Sequence, residues 1–146
     1  MEIIGFIGIG IIVLYILGFI VNLFSPSNTI TIEELSNNVT EWFIKMYPIR
    51  KKSPKIVISG ESSDYAGTYT FYNNTITLFT LNVSDYESIV EITLHELVHW
   101  REITSLSKDQ LYDKQLKEYG YENHPQEIWC RTVAAELTKH YIKQRV

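Results

Sequence analysis

The sequence predicts an α+β domain preceded by one membrane-spanning helix, and three observations carry that expectation. Residues 3–24 form an uncharged apolar run. Residues 55–80 are rich in β-branched and aromatic residues with turn formers between them. The rest of the chain shows helical spacing of apolar positions, most clearly around His95-Glu96-Leu97-Val98-His99. The organisation expected is an anchor over 1–24, a linker over 25–30 and a folded domain over 31–146.

The run over 3–24 is 22 residues long and carries no charge. At 1.5 Å per residue it spans about 33 Å, enough for a bilayer core. No basic segment precedes it and no small-residue cleavage site follows, which disfavours a cleaved signal peptide. A single-pass membrane protein is therefore expected, with the lipid bilayer as one partner. All Lys and Arg lie beyond the run, which leans toward a cytoplasmic C-terminal domain without fixing the side. The sequons at Asn38, Asn73 and Asn82 do not fix it either.

Net charge is −4, so no large basic surface and no nucleic-acid partner are expected. Cys130 is the single cysteine. An intrachain disulfide and a cysteine-rich zinc site are both excluded, so a metal must be held by His, Asp or Glu.

After the linker, Thr31-Ile32-Glu33-Glu34 reads as a capping box. Ile32, Leu35, Val39, Trp42, Phe43 and Met46 recur at helical spacing, and the helix should stop before Pro48. Arg50 to Lys55 reads as a solvated basic loop, with contact to anionic lipid headgroups as the alternative, and Lys55 to Ser59 as a short strand. Gly67–Tyr72 and Thr75–Thr80 read as two strands joined by Asn73-Asn74, a tight hairpin with positive φ at the asparagines. The sheet is thus about three strands, with an open edge expected either to hold an extended peptide by main-chain hydrogen bonds or to be shielded by a loop.

Ser84-Asp85-Tyr86-Glu87 reads as a second capping box, placing a helix start near Ser84. Ile89, Val90, Ile92, Leu94, Leu97 and Val98 give that helix a buried side. On it His95 and His99 are four apart, one above the other, so both rings can grip one ion. Glu96 borders the same face, where a carboxylate can move protons rather than ligate. H-E-x-x-H on a helix is the zinc metallopeptidase signature.

A catalytic zinc site needs a third protein ligand. A polar helix capped by Ser107 should run to Tyr119 and close at Gly120, and Pro125 should open the last helix, continued by Ile128, Val133, Ala134, Leu137 and Tyr141. Glu122, His124, Glu127 and Glu136 are the candidates. Glu127, one turn into a rigid helix, is the expected ligand, with His124 at the cap as the alternative. Tyr121 and His124 are then candidates to stabilise an oxyanion or orient the ligand, and Glu91, Glu102 and Glu136 to hold the ligands in place.

His95-Glu96-x-x-His99 with Glu127 in a Pro125-x-Glu127-Ile128 segment resembles the gluzincin metallopeptidases, in particular their compact minigluzincin and ImmA/IrrE types. The resemblance covers roughly residues 30–146 and leaves the anchor outside it. It implies a zincin-like fold in which a small three-stranded sheet packs on the motif helix. It also implies Zn2+ held by His95, His99 and Glu127, a zinc-bound water activated by Glu96 as general base, and a peptide or protein substrate. Cys130 stands where that group often has alanine. The alternative is an inactive or regulatory zinc-binding module that recognises a protein partner at the membrane.

Overall fold

The computed structural model describes residues 30–145, and the apolar run over 3–24 lies outside them. Among the described residues no helix is long and apolar enough to cross a membrane. The described chain is α+β: four helices and a three-stranded sheet.

Helix α1 spans Ile32–Met46, and Thr31 caps it, its hydroxyl accepting from the Glu34 amide at 3.1 Å. Glu33 and Glu34 in the first turn and Lys45 in the last complement the helix dipole. Leu35, Val39 and Phe43 are buried as the spacing predicts, but Met46 is exposed. The helix ends there, and its last side chain passes beyond the core edge.

Strands β1 (Lys55–Ser59), β2 (Gly67–Thr70) and β3 (Thr75–Phe79) form a sheet of order β1-β3-β2. β1 runs parallel to β3, with Lys55 opposite Thr75, and β2 runs antiparallel, with Thr70 opposite Thr75. Central β3 buries Ile76 and Leu78, while Thr77 between them is half-buried. The hairpin is looser than expected. Residues 71–74 form the loop, β2 stops at Thr70, and Asn74 alone has positive φ, at 52°. The reason lies in Asn74, whose amide donates to the Lys52 and Ser53 carbonyls at 3.1 and 3.0 Å, tying the loop to the approach of β1.

The basic loop is solvated at Arg50, Lys52 and Lys55, and Lys51 alone departs from that reading. Lys51 Nζ donates to the carbonyls of Trp100 at 2.6 Å and Ile103 at 2.8 Å, and to the Tyr69 hydroxyl at 3.0 Å. The attraction is the C-terminal end of the next helix, where carbonyls without helical partners draw a cation.

A single 3-10 turn, Thr80–Asn82, leads into α2, Tyr86–Glu102. Its cap is Asp85 rather than Ser84. The Asp85 carboxylate accepts from the Ser88 amide at 2.8 Å, and the Ser84 hydroxyl donates to that carboxylate instead. Val90, Leu94, Leu97, Val98 and Trp100 are buried; Ile89 and Ile92 are half-buried at the rim. Helix α2 packs against α1, the sheet and the last helix, so it is the centre of the domain.

Helix α3, Leu106–Asn123, starts from Ser105 rather than Ser107, and none of its residues is buried. Gly120 breaks its path at φ 70° and ψ 167°, a conformation open to glycine, and Tyr121–Asn123 form one more turn. Helix α4 spans Pro125–Lys143 with Pro125 in its first turn, as expected. Its inner face is Glu127, Cys130, Ala134, Thr138 and Tyr141. Ile128, expected inside, is 49% exposed. It lies one residue off that stripe, a rotation of about 100°, and the position facing α2 belongs to Glu127.

Candidate metal centre

His95 and His99 lie one turn apart on the cleft side of α2, and Glu127 reaches them from the first turn of α4. His95 Nε2 is 3.1 Å from Glu127 Oε2, His99 Nε2 is 3.0 Å from Glu127 Oε1, and the two Nε2 atoms are 3.1 Å apart. Among the described residues these three form a group able to hold a metal ion, with donor atoms all within 4.8 Å of one another. Two imidazole nitrogens and a carboxylate oxygen are donors that zinc accepts. The chain thus fits the ion on donor chemistry and on convergence.

Local sequence explains why Glu127 is so placed. His124 caps α4: its Nδ1 accepts from the amides of Gln126 at 3.0 Å and Glu127 at 3.4 Å. Its Nε2 then carries the proton and faces the Tyr112 carbonyl at 3.2 Å. The ring is fully buried. Both nitrogens are engaged by protein atoms, so His124 stands as a support for the Glu127 turn rather than as a donor aimed at the cleft.

Tyr112 on α3 is the participant the sequence reading missed. Its hydroxyl donates to Glu127 Oε1. Its ring lies 4.4 Å from that of His124 and 5.6 Å, edge-on, from that of His99. The available signal was spacing: Asp109, Tyr112, Asp113 and Leu116 share one face of α3, and that face looks across at β2 and the motif.

Electrostatics follow the contacts. Burial pushes the Glu127 carboxyl upward, but hydrogen bonds from His95 and His99 overrule it and hold the group well below the usual carboxylate range. Burial lowers His95, while its bond to Glu127 and the charges of Glu96 and Glu127 raise it, and the net is upward. Glu96 is 5% exposed and its carboxyl is pushed up by burial, against the pull of His99 and His95. Burial pushes the Cys130 thiol up as well. That thiol is fully buried, which suits packing more than redox chemistry.

The cleft runs to both sides of the motif. One cavity, about 270 Å³, is bordered by Asn82, Glu91, Arg131, Tyr121, His95 and Glu96. The other, about 240 Å³, is bordered by β2, Asp109, Asp113 and Leu116, again with His95, Glu96 and Tyr121. Tyr121 therefore overlooks both sides, held between the Tyr65 ring at 5.5 Å and the Arg131 guanidinium at 5.5 Å. Gly67 of β2 lets the strand approach Glu96. A Cβ there would lie 2.8 Å from Ile92 Cγ2 and 3.1 Å from Glu96 Oε1.

The remaining candidates lie apart. Glu122 is exposed and pairs with Arg131, and Glu136 is exposed and pairs with Lys139 at 2.8 Å. Neither belongs to the metal group. Glu91 is exposed at the rim of the first cavity, and Glu102 closes α2 outside both.

No family model, curated protein or solved structure matches this chain. The chain is an α+β protein whose described residues gather a potential His–His–Glu metal group.

Proposed function

We propose that this chain is a membrane-anchored, zinc-dependent metallopeptidase of the gluzincin type, with a zincin-like domain that hydrolyses peptide bonds. The observation that carries the reading is the convergence of His95, His99 and Glu127, from two separate helices, beside a buried Glu96. The uncharged run over 3–24 supports the anchor.

His95, His99 and Glu127 are the residues that would hold the zinc. Zinc bound there supplies Lewis acidity, polarising a carbonyl and lowering the pKa of a water to about 7. Glu96 borders both cavities, so it is within reach of an attacking water whichever way the substrate enters. Its burial keeps its proton affinity high, which suits a base that takes a proton from water and passes it to the leaving amine. His124 and Tyr112 fix Glu127 through the helix cap and the hydroxyl bond. Tyr121, which borders both cavities, is the candidate to donate to a developing oxyanion.

Glu96→Gln tests this directly. The full-length variant should keep about one zinc per chain and lose turnover of a peptide library by about 100-fold or more. A zinc-binding module that only recognises a partner would show no zinc-dependent cleavage in the wild type, and that result would retire the peptidase reading.

A further inference from the structure

Charge is spread unevenly over this chain. Net charge is −4, yet no Asp or Glu occurs between Glu41 and Glu61 or between Asp64 and Asp85. The first gap carries Lys45, Arg50, Lys51, Lys52 and Lys55, five of the thirteen basic residues. The second contains the β2–β3 hairpin, whose loop is Phe71-Tyr72-Asn73-Asn74. The fold joins the two stretches. The Asn74 side chain donates to the Lys52 and Ser53 carbonyls, and the Asn74 carbonyl accepts from the Lys55 amide at 2.9 Å. Basic loop and hairpin loop are therefore one surface at one end of the sheet.

That surface is held from beneath. Lys51 turns inward, where its Nζ bonds carbonyls at the end of α2 and lies 5.7 Å from the Phe71 ring. Tyr72 meets Phe71 edge-on at 6.0 Å and is itself 77% exposed, the most exposed large hydrophobic side chain among the described residues. Arg50, Lys52 and Lys55 are exposed, and none of them forms an ion pair among the described residues. An outward aromatic ring among cations suits a bilayer interface. The ring sits at headgroup level, and the cations meet anionic lipid.

The chain before the domain names the occupant. The uncharged apolar run ends at Phe24, and six residues, 25–30, separate it from Thr31, the cap of α1. Six residues reach about 20 Å when fully extended. A domain on so short a tether meets the bilayer surface at an effective concentration of about millimolar, so a weak contact suffices to hold it there. Each cation near an anionic leaflet adds about fivefold in affinity, and three together give on the order of 100-fold.

We infer that the hairpin tip and the basic loop form a second contact with the membrane, Tyr72 entering the headgroup layer while Arg50, Lys52 and Lys55 bind anionic lipid. Helix α1 leads from the tether to the basic loop, over about 22 Å. With α1 inclined toward the bilayer plane, both of its ends meet the surface. The inference rests on the anchor in the proposed reading and is independent of peptidase chemistry.

The experiment uses the full-length chain with Cys130→Ala in proteoliposomes. The lipid is phosphatidylcholine alone, or phosphatidylcholine with one-third phosphatidylserine in both leaflets. A polarity-sensitive dye is attached at Asn73→Cys in the hairpin loop, or at Glu87→Cys, exposed at the opposite end of α2. On Asn73→Cys the dye should brighten about twofold or more in the anionic vesicles, be quenched by brominated lipid, and return to its neutral-vesicle level at high salt. On Glu87→Cys it should not respond. Lys52→Glu with Lys55→Glu should abolish the response. Both side chains are exposed, so thermal unfolding should report a folded chain. No difference between the two lipids, a response that survives the double substitution, or an equal response at Glu87→Cys would each overturn the surface. A response to duplex DNA in neutral vesicles, with none to phosphatidylserine, would assign the cations to nucleic acid and overturn it as well. Extraction at alkaline pH tests the anchor separately. A chain that is extracted loses the anchor reading, and the dye still decides the tip: a phosphatidylserine response keeps the surface, and its absence overturns it.

Discussion

The Tyr112 hydroxyl donates a hydrogen bond to Oε1 of Glu127, so α3 holds the carboxylate that α4 contributes to the metal group. Groups that orient a ligating carboxylate are worth about 10- to 100-fold in metal affinity. Tyr112→Phe should therefore weaken zinc binding by that factor and leave the fold intact, because the ring keeps its contacts with His124 and His99. Chelator competition on the variant measures it. An unchanged zinc affinity would reduce Tyr112 to packing.

Glu127 and His124 are three residues apart, and their substitutions should separate cleanly. Glu127→Ala removes a donor from the group and should abolish stoichiometric zinc. His124→Ala leaves all three donors but removes the α4 cap and a fully buried ring. It should retain zinc and lose stability, by about 1 kcal/mol for the cap and more for the cavity left behind. Metal analysis alongside thermal unfolding decides the matter. Zinc lost in His124→Ala and kept in Glu127→Ala would break the assignment of the third ligand.

The site was legible in the sequence where it obeys helix periodicity. His95 and His99 are four apart on one strongly patterned helix, and Glu127 follows a proline that marks a helix start, so their elements could be named from spacing alone. The α+β composition was legible for the same reason: β-rich runs and helical runs do not overlap in this chain. What spacing does not encode is which long-range partner a terminal group finds. Lys51 reads as loop because its partners, the carbonyls of Trp100 and Ile103, are some fifty residues away. The Asp85 cap differs from the expected Ser84 by one residue because both side chains can accept from an early amide, and the two compete. Tyr112 was hidden among the ten tyrosines of the chain until the fold brought α3 over α4.

Gly67 couples β2 to the proposed base. Alanine at this position would place a methyl group 2.8 Å from Ile92 Cγ2 and 3.0 Å from Glu96 Cγ, and both are held by the packed α2. Overpacking of this kind costs about 1–3 kcal/mol, and displacing a reacting group by about 1 Å can cost 100-fold in rate. Gly67→Ala should keep its zinc, since no metal donor is touched, while both stability and turnover fall. Turnover equal to wild type would show that β2 moves away freely and does not set the position of Glu96.

Lys51 supplies a test by pH. Its ammonium bonds the Trp100 and Ile103 carbonyls and the Tyr69 hydroxyl, and burial brings its pKa down from 10.5 to about 8. At pH 7 the group is charged in the folded and unfolded chain alike. Lys51→Met then leaves two buried carbonyls without a donor, at a cost of about 1–3 kcal/mol. Between pH 8 and 10.5 the unfolded chain retains the proton that the folded chain gives up, so stability from this group rises with pH across that window. The neutral amine still donates to its neighbours. The stability gap between wild type and Lys51→Met should therefore be flat below about pH 8 and widen toward pH 10, as read from denaturant midpoints on the two chains in parallel. A gap that narrows over that range would mean that the ammonium, drawn by the end of α2, is more stable in the fold than in water.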